Sequence, residues 1–286
     1  MELESHVSIL NDYSLEMTAK ERPELDNAAG RILPGTQIAV AFLPNEDMES
    51  RIAAACHVRS LGFEPIPHIS ARRMRSAAEL SDMVERCAQY AGVKRVFLVA
   101  GDPVRPDGPF EDTLSMLRTG VFESNGIESV GIAGHPEGHP IMDANRLASF
   151  MDRKVDEIGA RGMASTLVTQ FSFDAQALLD WHFSLRERGI SIPVRLGVPG
   201  PAGVRRLLRY AAFCGVGATT SVLKKYGISL GKLIGLAGPD RLVSELEQGL
   251  IAERSDNLAL HFFPFGSLGA TADWISTYPH NKGLAA

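Results

Sequence analysis

RVFLVAGD (residues 95–102) and SVGIAGH (129–135) decide the fold, because each is a short aliphatic and β-branched run that ends at an ionisable residue. Six more runs of this kind occur along the chain, separated by segments with the periodicity of helices. Eight alternating strand and helix units predict an α/β protein that folds as a single (β/α)8 TIM barrel. In order, the runs are YSLEM (13–17), QIAVAFLP (37–44), EPIPHIS (64–70), RVFLVAG (95–101), SVGIAG (129–134), STLVTQFSF (165–173), PVRLGVP (193–199) and LALHFFPFG (258–266).

The residues that follow or end these runs indicate an enzyme. In a (β/α)8 barrel, catalytic groups stand on the rim formed by the C-terminal ends of the strands. The candidates on this rim are Glu16, His68, Asp102, His135, Glu137, His139 and Gln170. The interval between the seventh and eighth runs (200–257) is long enough for two or three helices, so we expect a helical insertion there. No Pro/Ser-rich linker divides the chain, which predicts one catalytic domain over residues 1–286.

The composition is that of a globular protein. Hydrophobic residues make up 45% of the 286 residues, charged residues 22%, and the formal net charge is −5. We find no run of Lys and Arg, which argues against a nucleic-acid partner. No stretch approaches the roughly 18 apolar residues of a membrane helix, and we find no secretory signal. Cys56, Cys87 and Cys214 are odd in number and fall in helical segments, so we expect core thiols in a cytoplasmic protein.

Glu16 and Asp102 are the acids whose positions favour catalysis. Glu16 ends the first run, where burial of an inward-facing carboxyl would raise its pKa and make it a general acid near neutral pH. A solvent-exposed glutamate in a short edge segment is the alternative. Asp102 follows Gly101, which permits a ligand to approach the backbone closely, and its carboxylate could stabilise a developing cation. A role in capping the next loop is the alternative for Asp102.

The segment HPEGHP (135–140) and the end of the sixth run carry further polar groups. His135, Glu137 and His139 have donor types that zinc accepts, but the interleaved Pro and Gly residues prevent the helix on which a zinc-binding HExxH motif depends. We therefore predict no metal site. Gln170 has a donor and an acceptor on one amide, which suits the edge of a pterin or a nicotinamide. His68 could bind a ligand or satisfy loop carbonyls, and the sequence does not choose between these roles.

Seven segments, in order along nearly the whole chain, resemble motifs of the methylenetetrahydrofolate reductases. TQFSFD (169–174) and DRKVD (152–156) are the most specific of them. The fold that the resemblance implies is a (β/α)8 barrel, which agrees with the strand count. The segments are SLEM (14–17), PIPHIS (65–70), FLVAGD (97–102), HPEGHP (135–140), DRKVDEIGA (152–160), LVTQFSFD (167–174) and LHFFPFG (260–266).

The resemblance implies a reaction and roles for individual residues. The reaction is the reduction of 5,10-methylenetetrahydrofolate to 5-methyltetrahydrofolate by NADH or NADPH, a step of one-carbon metabolism and methionine biosynthesis. Glu16 would protonate folate N10 and open the ring to an iminium, and Asp102 would hold the pterin and stabilise that cation. Gln170 would contact the folate or the reduced nicotinamide, and Phe265 would contact the substrate. Residues implied to contact the cofactor, which is FAD in most of the family, are His68, Gly101, His135, Glu137, His139, Arg153 and Lys154.

Departures from the family pattern fall at the flavin site. Ala100 stands where the family has an arginine, Glu111 where it has a small residue, and Leu147 and Phe150 where it has Asp and Asn. Loss of a guanidinium and two polar groups weakens a site for an anionic dinucleotide. We therefore predict direct hydride transfer from NADH to the folate, without flavin. An FAD-dependent reductase is one alternative, and a folate-binding barrel that carries methyl groups without redox chemistry is another. Assembly into a homo-oligomer stays open.

Overall fold

Eight parallel strands close into a barrel in the computed structural model, which describes residues 9–44, 46–216, 236–252 and 257–284. The strands are β1 (Ser14–Met17), β2 (Gln37–Val40), β3 (Glu64–Ser70), β4 (Arg95–Val99), β5 (Ser129–Gly134), β6 (Ala164–Phe171), β7 (Val194–Pro199) and β10 (Leu258–Phe263). Their order around the barrel is β1-β10-β7-β6-β5-β4-β3-β2. Each strand overlaps one of the eight runs, so the predicted (β/α)8 barrel is confirmed.

Helices between the strands cover the outside of the barrel. They are α1 (Arg22–Ala28), α2 (Met48–Ser60), α3 (Ala77–Ala91), α4 (Thr113–Leu117), α5 (Val121–Ser124), α6 (Ala144–Ala160), α7 (Ala175–Glu187), α8 (Val204–Cys214), α9 (Asp240–Ala252) and α10 (Leu268–Leu284). Asp47, Asp143 and Asp174 precede α2, α6 and α7, and each carboxylate accepts a backbone N–H of the first turn. Among the described residues, we find no helix whose length and apolar character would let it cross a membrane.

The predicted insertion between the last two barrel strands is helical where the structure describes it. It contains α8 and α9, and its ends are joined by a two-stranded antiparallel sheet of β8 (Ala202–Gly203) and β9 (Leu236–Ala237). Residues 217–235 and 253–256 of the interval lie outside the described ranges. The insertion follows β7, so α8 starts beside the rim on which the candidate residues stand.

The apolar core lies between the strands and the helices rather than along the barrel axis. Leu15, Ile38 and Val96 belong to this core and are at most 1% exposed. Because side chains alternate across a strand, Ser14 and Glu16 point to the barrel interior. Such barrels usually fill the interior with branched side chains, but several interior positions here carry small residues and leave a cavity: Ala39, Ala41, Gly131 and Ala133.

Candidate active site

A cavity of about 490 Å³ opens at the C-terminal rim and continues along the barrel axis. Its volume lies in the range of small-molecule sites. The strands, the turn after β4, the loop after β5 and helix α6 all contribute to its wall, so the fold brings together groups that are far apart in the sequence. The predicted site residues that line it are Glu16, His68, Gly101, Asp102, His135, His139, Lys154 and Gln170.

Three predicted site residues are absent from this wall. Glu137 is exposed, and its carboxylate accepts a hydrogen bond from the Ser172 hydroxyl at 2.6 Å. Arg153 is exposed on α6. Phe265 stacks on Tyr210 of α8, with ring centroids 4.2 Å apart. Contact between these three side chains and a ligand stays a prediction.

Glu16 lies between two histidines in the cavity wall. Its Oε2 is 3.8 Å from Nε2 of His68 and 3.8 Å from Nε2 of His261. The other ring nitrogen of His261, Nδ1, is 2.8 Å from Oγ of Ser14. Ser14 and His261 are buried. A hydroxyl, an imidazole and a carboxylate therefore lie in a row. The contact between Ser14 and His261 is a hydrogen bond, whereas the 3.8 Å between His261 and Glu16 must shorten or hold a water molecule before a proton can pass.

The surroundings of Glu16 lower its pKa. Burial raises the pKa of the Glu16 carboxyl, but the facing imidazoles of His261 and His68 lower it by more. The sequence-based expectation of a raised pKa is therefore wrong, because position along the chain reveals burial and not these neighbours. The free carboxyl is ionised at neutral pH, so Glu16 must receive a proton before it can donate one.

Burial keeps His68 neutral. It lowers the pKa of His68 to about 4, and the charge of Glu16 opposes this only in part. The ring packs against Phe97, with centroids 4.7 Å apart. A neutral imidazole can donate one hydrogen bond and accept another, so His68 can orient a polar group of a ligand without adding charge.

We expect the protein to lose stability between pH 6.5 and pH 4. The unfolded chain protonates its histidines near pH 6.5, whereas folded His68 and His135 have pKa values of about 4. The unfolded state therefore binds more protons in this window, and the free energy of unfolding falls with pH, by about 2–3 kcal/mol for His68. Urea unfolding at pH 7 and pH 4.5 measures the loss, and His68→Gln should reduce it by that amount. An equal loss in the variant would contradict the neutral form of His68.

The turn after β4 presents Asp102 to the cavity. Gly101 has φ 92°, and a Cβ there would collide with the hydroxyl of Ser70, so the turn requires glycine. Asp102 itself is exposed. Burial, followed by the charges of Glu16 and Asp102, raises the pKa of the Cys214 thiol to about 11. Glu16 and Asp102 both line the cavity.

The loop after β5 places His135 and His139 against the cavity. The rings of His135 and His139 meet edge to face, with centroids 5.1 Å apart. Burial, with smaller effects from His139 and Lys154, lowers the pKa of His135 to about 4. Within the described ranges, no group of three or more His, Cys, Asp or Glu side chains is arranged to hold a metal ion. Both rings are suited to hydrogen bonding with a ligand.

Lys154 of α6 offers a cation to the cavity. Its side chain is half-buried in the wall, and burial lowers its pKa, with partial opposition from the charge of Asp112. Among the described residues, we find no carboxylate within ion-pair distance of its amine. A cation in this position at a cavity wall suits a phosphate or carboxylate group of a ligand.

His261 and Ser14 are the site residues that the sequence analysis did not single out. His261 interrupts the apolar run LALHFFPFG, and Ser14 lies two residues before Glu16, hence on the same face of β1. The signal in the sequence was a histidine inside an otherwise apolar strand. Its place in the site could not be predicted, because it depends on the pairing of β1 with β10, in which Ser14 lies opposite His261.

Comparison with known proteins tests the resemblance. The profile of the methylenetetrahydrofolate reductase family matches residues 36–228, about two-thirds of the chain. The chain belongs to the methylenetetrahydrofolate reductase family. The match starts after β1, so it includes Asp102 and Gln170 but not Glu16. The closed barrel places Glu16 in the same cavity as these two residues.

Curated members of the methylenetetrahydrofolate reductase family match in part. The chain is 23% identical over 208 residues to methylenetetrahydrofolate reductase 2 of Saccharomyces cerevisiae, covering 69% of this chain and 32% of the yeast protein. It is 26% identical over 140 residues to methylenetetrahydrofolate reductase (NADH) 1 of Arabidopsis thaliana, covering 43% of this chain and 23% of the plant protein. The chain thus spans about a third or less of the length of these relatives.

A solved structure supports the fold. Dihydropteroate synthase from Thermus thermophilus superimposes with a TM-score of 0.50 at 12% identity, and the alignment covers 95% of each chain. At this identity the likeness concerns the barrel alone. The methylenetetrahydrofolate reductase assignment therefore rests on the sequence match and not on this superposition.

Proposed function

We propose that this member of the methylenetetrahydrofolate reductase family reduces 5,10-methylenetetrahydrofolate to 5-methyltetrahydrofolate and takes the hydride from NADH. The observation that carries the proposal is Glu16, an acid in the wall of a ligand-sized cavity that faces His68 and His261 at 3.8 Å. Family membership supports the substrate class, and the word NADH in the name of the Arabidopsis relative supports the donor. Initial rates with NADH and with NADPH test the choice of donor.

The reaction needs one proton and one hydride. The bond between folate N10 and the methylene carbon breaks with its electron pair on N10, which takes a proton from Glu16. The carbon remains on N5 as an iminium, and a hydride from C4 of the nicotinamide converts it to a methyl group. Glu16 is ionised before the reaction, and the row Ser14–His261–Glu16 is the means by which it regains a proton.

Asp102 supports the step in which positive charge develops. Its exposed carboxylate stands in the cavity wall, where it can face the iminium. We expect Asp102→Asn to lower kcat about tenfold and to change KM less, because the lost charge faces a cation that exists only after ring opening. Steady-state kinetics measure both constants. A raised KM with an unchanged kcat would make Asp102 a binding residue only.

The turn after β4 does not fit an anionic flavin dinucleotide. Ala100 contributes only a methyl group and a carbonyl, which accepts the backbone N–H of Arg72 at 2.9 Å. The guanidinium of Arg72 donates to the carbonyls of Glu111 and Pro103, at 2.9 and 3.3 Å. Arg72 is thus engaged by backbone and Glu111 adds an exposed acid, whereas the guanidinium of Arg73, which also lines the cavity, lies over the ring of Phe42 at 5.8 Å. The proposed reaction therefore does not involve a flavin.

Helix α6 carries two cations that could bind NADH, but it lacks two of the polar groups with which the family pattern would hold FAD. Leu147 and Phe150 are apolar, and the Phe150 ring lies under the guanidinium of Arg153 at 5.5 Å. Each lost charge-assisted contact is worth roughly 1.5–3 kcal/mol, so two weaken binding about a hundredfold or more. Nanomolar retention of a flavin and micromolar binding of NADH differ by about 4 kcal/mol. Arg153 and Lys154 can therefore support NADH where they would not retain FAD.

Direct transfer between NADH and folate has a distinct kinetic form. Purified protein should show no flavin absorbance in the visible range, and initial rates should give the intersecting lines of a ternary complex. Stoichiometric FAD with parallel-line kinetics would instead establish an FAD-dependent reductase. Binding of methylenetetrahydrofolate without oxidation of NADH or NADPH would indicate a barrel that carries methyl groups without redox chemistry.

A further inference from the structure

The cavity continues past Glu16 to the N-terminal end of the barrel. We call this part the lower half, and it is lined by polar side chains from within the first three residues of six strands: Ser14, Gln37, Arg95, Ser129, Thr166 and Arg195. Barrels of this fold usually fill the same region with branched apolar side chains. A polar region with open volume can hold hydrogen-bonded water.

A buried cation and an exposed acid meet at the N-terminal mouth of the lower half. Arg195 is 6% exposed, and its guanidinium donates to the backbone carbonyl of Asp12 at 2.5 Å and to its carboxylate at 2.7 Å. The side chain of Asp12 is 74% exposed. Arg95 lines the cavity at the same end and is exposed to water, and its charge is one of the smaller causes that lower the pKa of Arg195. Asp12 therefore opposes the charge of Arg195 at the point where the lower half meets solvent.

We propose that the lower half is the path by which solvent protons reach Glu16 while both substrates occupy the rim. The inference rests on the proposed function. Water in the lower half would pass a proton to the hydroxyl of Ser14, which lies 2.8 Å from Nδ1 of His261, and Nε2 of His261 faces Glu16. The proton ends on folate N10 and the hydride on the methylene carbon, so each turnover draws one proton from solvent.

Glu16 needs a supply of protons. Because its pKa lies below the ordinary glutamate value, the carboxylate form predominates in the free enzyme at pH 7. Glu16 must therefore take up a proton for each turnover. A pterin and a nicotinamide that together occupy the C-terminal rim exclude water from that end of the cavity. The lower half reaches the other end of the barrel axis, where Arg95 and Asp12 are exposed to water.

The ion pair at the mouth provides the first test. An unopposed guanidinium in a narrow passage repels protons. Asp12→Asn leaves the charge of Arg195 unopposed but keeps the hydrogen bond from its guanidinium to the backbone carbonyl of residue 12. Because the side chain of Asp12 is exposed, we expect the variant to fold. We expect kcat to fall about tenfold with both KM values unchanged within about twofold. Asp273→Asn is the matched control, because Asp273 is also an exposed acid paired with an arginine, Arg31, at 2.7 Å. The control should keep the wild-type kcat.

A hydroxyl inside the lower half provides the second test. Thr166→Val removes it at equal volume, whereas Ser165→Ala removes a buried hydroxyl that faces away from the cavity on the same strand. We expect Thr166→Val to lower kcat about threefold or more, and Ser165→Ala to leave it unchanged. In both Asp12→Asn and Thr166→Val, the solvent deuterium isotope effect on kcat should rise. The effect of deuterium at C4 of NADH should fall toward one, because proton delivery becomes the slowest step.

The isotope effects separate the path from its alternatives. Unchanged kcat and isotope effects in both variants, with an active wild type, would overturn the path and leave the proposed function intact. A lower kcat with unchanged isotope effects would also overturn it, since that pattern marks a structural role. A wild-type protein that shows no folate-dependent oxidation of NADH would overturn the proposed function itself, and the path with it.

Discussion

Glu16→Gln is expected to lower kcat about a hundredfold or more and to leave the fold intact. The amide has nearly the shape of the carboxyl group but cannot carry a proton to folate N10. The substitution leaves no void, because Gln and Glu have nearly the same volume. The groups nearest the carboxylate are the ring nitrogens of His68 and His261, both at 3.8 Å. Steady-state oxidation of NADH in the presence of methylenetetrahydrofolate measures the rate, and thermal unfolding measures the fold.

Glu21→Gln is the matched control for this experiment. Glu21 is close enough for the charge of Glu16 to act on it, but it does not line the cavity, and its carboxylate accepts the backbone N–H of Thr18 at 2.6 Å. The amide oxygen of Gln can still accept this N–H, so the substitution should change stability little and keep kcat within about twofold. A Glu16→Gln enzyme with a rate near that of the wild type would remove Glu16 from the mechanism.

The barrel was predictable because its determinants are local. Each strand is a contiguous apolar run, and Asp174 marks the start of the following helix directly in the sequence. The boundaries of the strands were predicted less accurately than their number and order. The eighth run extends to Gly266, whereas β10 ends at Phe263, because Pro264 has no N–H to continue the ladder.

The sequence predicted which residues belong to the site but not how they contact one another. Glu16 and Asp102 could be selected because they follow strands, and strand ends meet at one rim. The neighbours of Glu16 could not, because His68 and His261 come from distant strands that only barrel closure brings to 3.8 Å. The direction of the Glu16 pKa depends on these neighbours. The same applies to Glu137, whose loop turns its carboxylate to Ser172 and not to the cavity.

Joint replacement of Arg153 and Lys154, as Arg153→Gln with Lys154→Met, is expected to raise the KM for NADH about a hundredfold or more. Lys154 faces the cavity without an acidic partner among the described residues, whereas Arg153 is exposed outside the cavity wall. The prediction assumes that the diphosphate of the dinucleotide extends beyond the wall and contacts both cations. Each charge-assisted contact is worth roughly 1.5–3 kcal/mol, and two account for the predicted change. Initial rates over a range of NADH concentrations, with a direct binding titration of NADH, measure it.

Arg161→Gln is the matched control for the double replacement, since Arg161 directly follows α6 and is already paired with Glu123 at 2.6 Å and Glu157 at 2.9 Å. It should keep the wild-type KM for NADH. In the variant with both Arg153 and Lys154 replaced, kcat at saturating NADH should stay within about threefold, because neither side chain takes part in bond breaking. An FAD enzyme would respond differently, since loss of these cations would release the flavin and no concentration of NADH would restore kcat. Recovery of kcat at high NADH therefore separates direct hydride transfer from the flavin-dependent mechanism, and an unchanged KM would place NADH elsewhere.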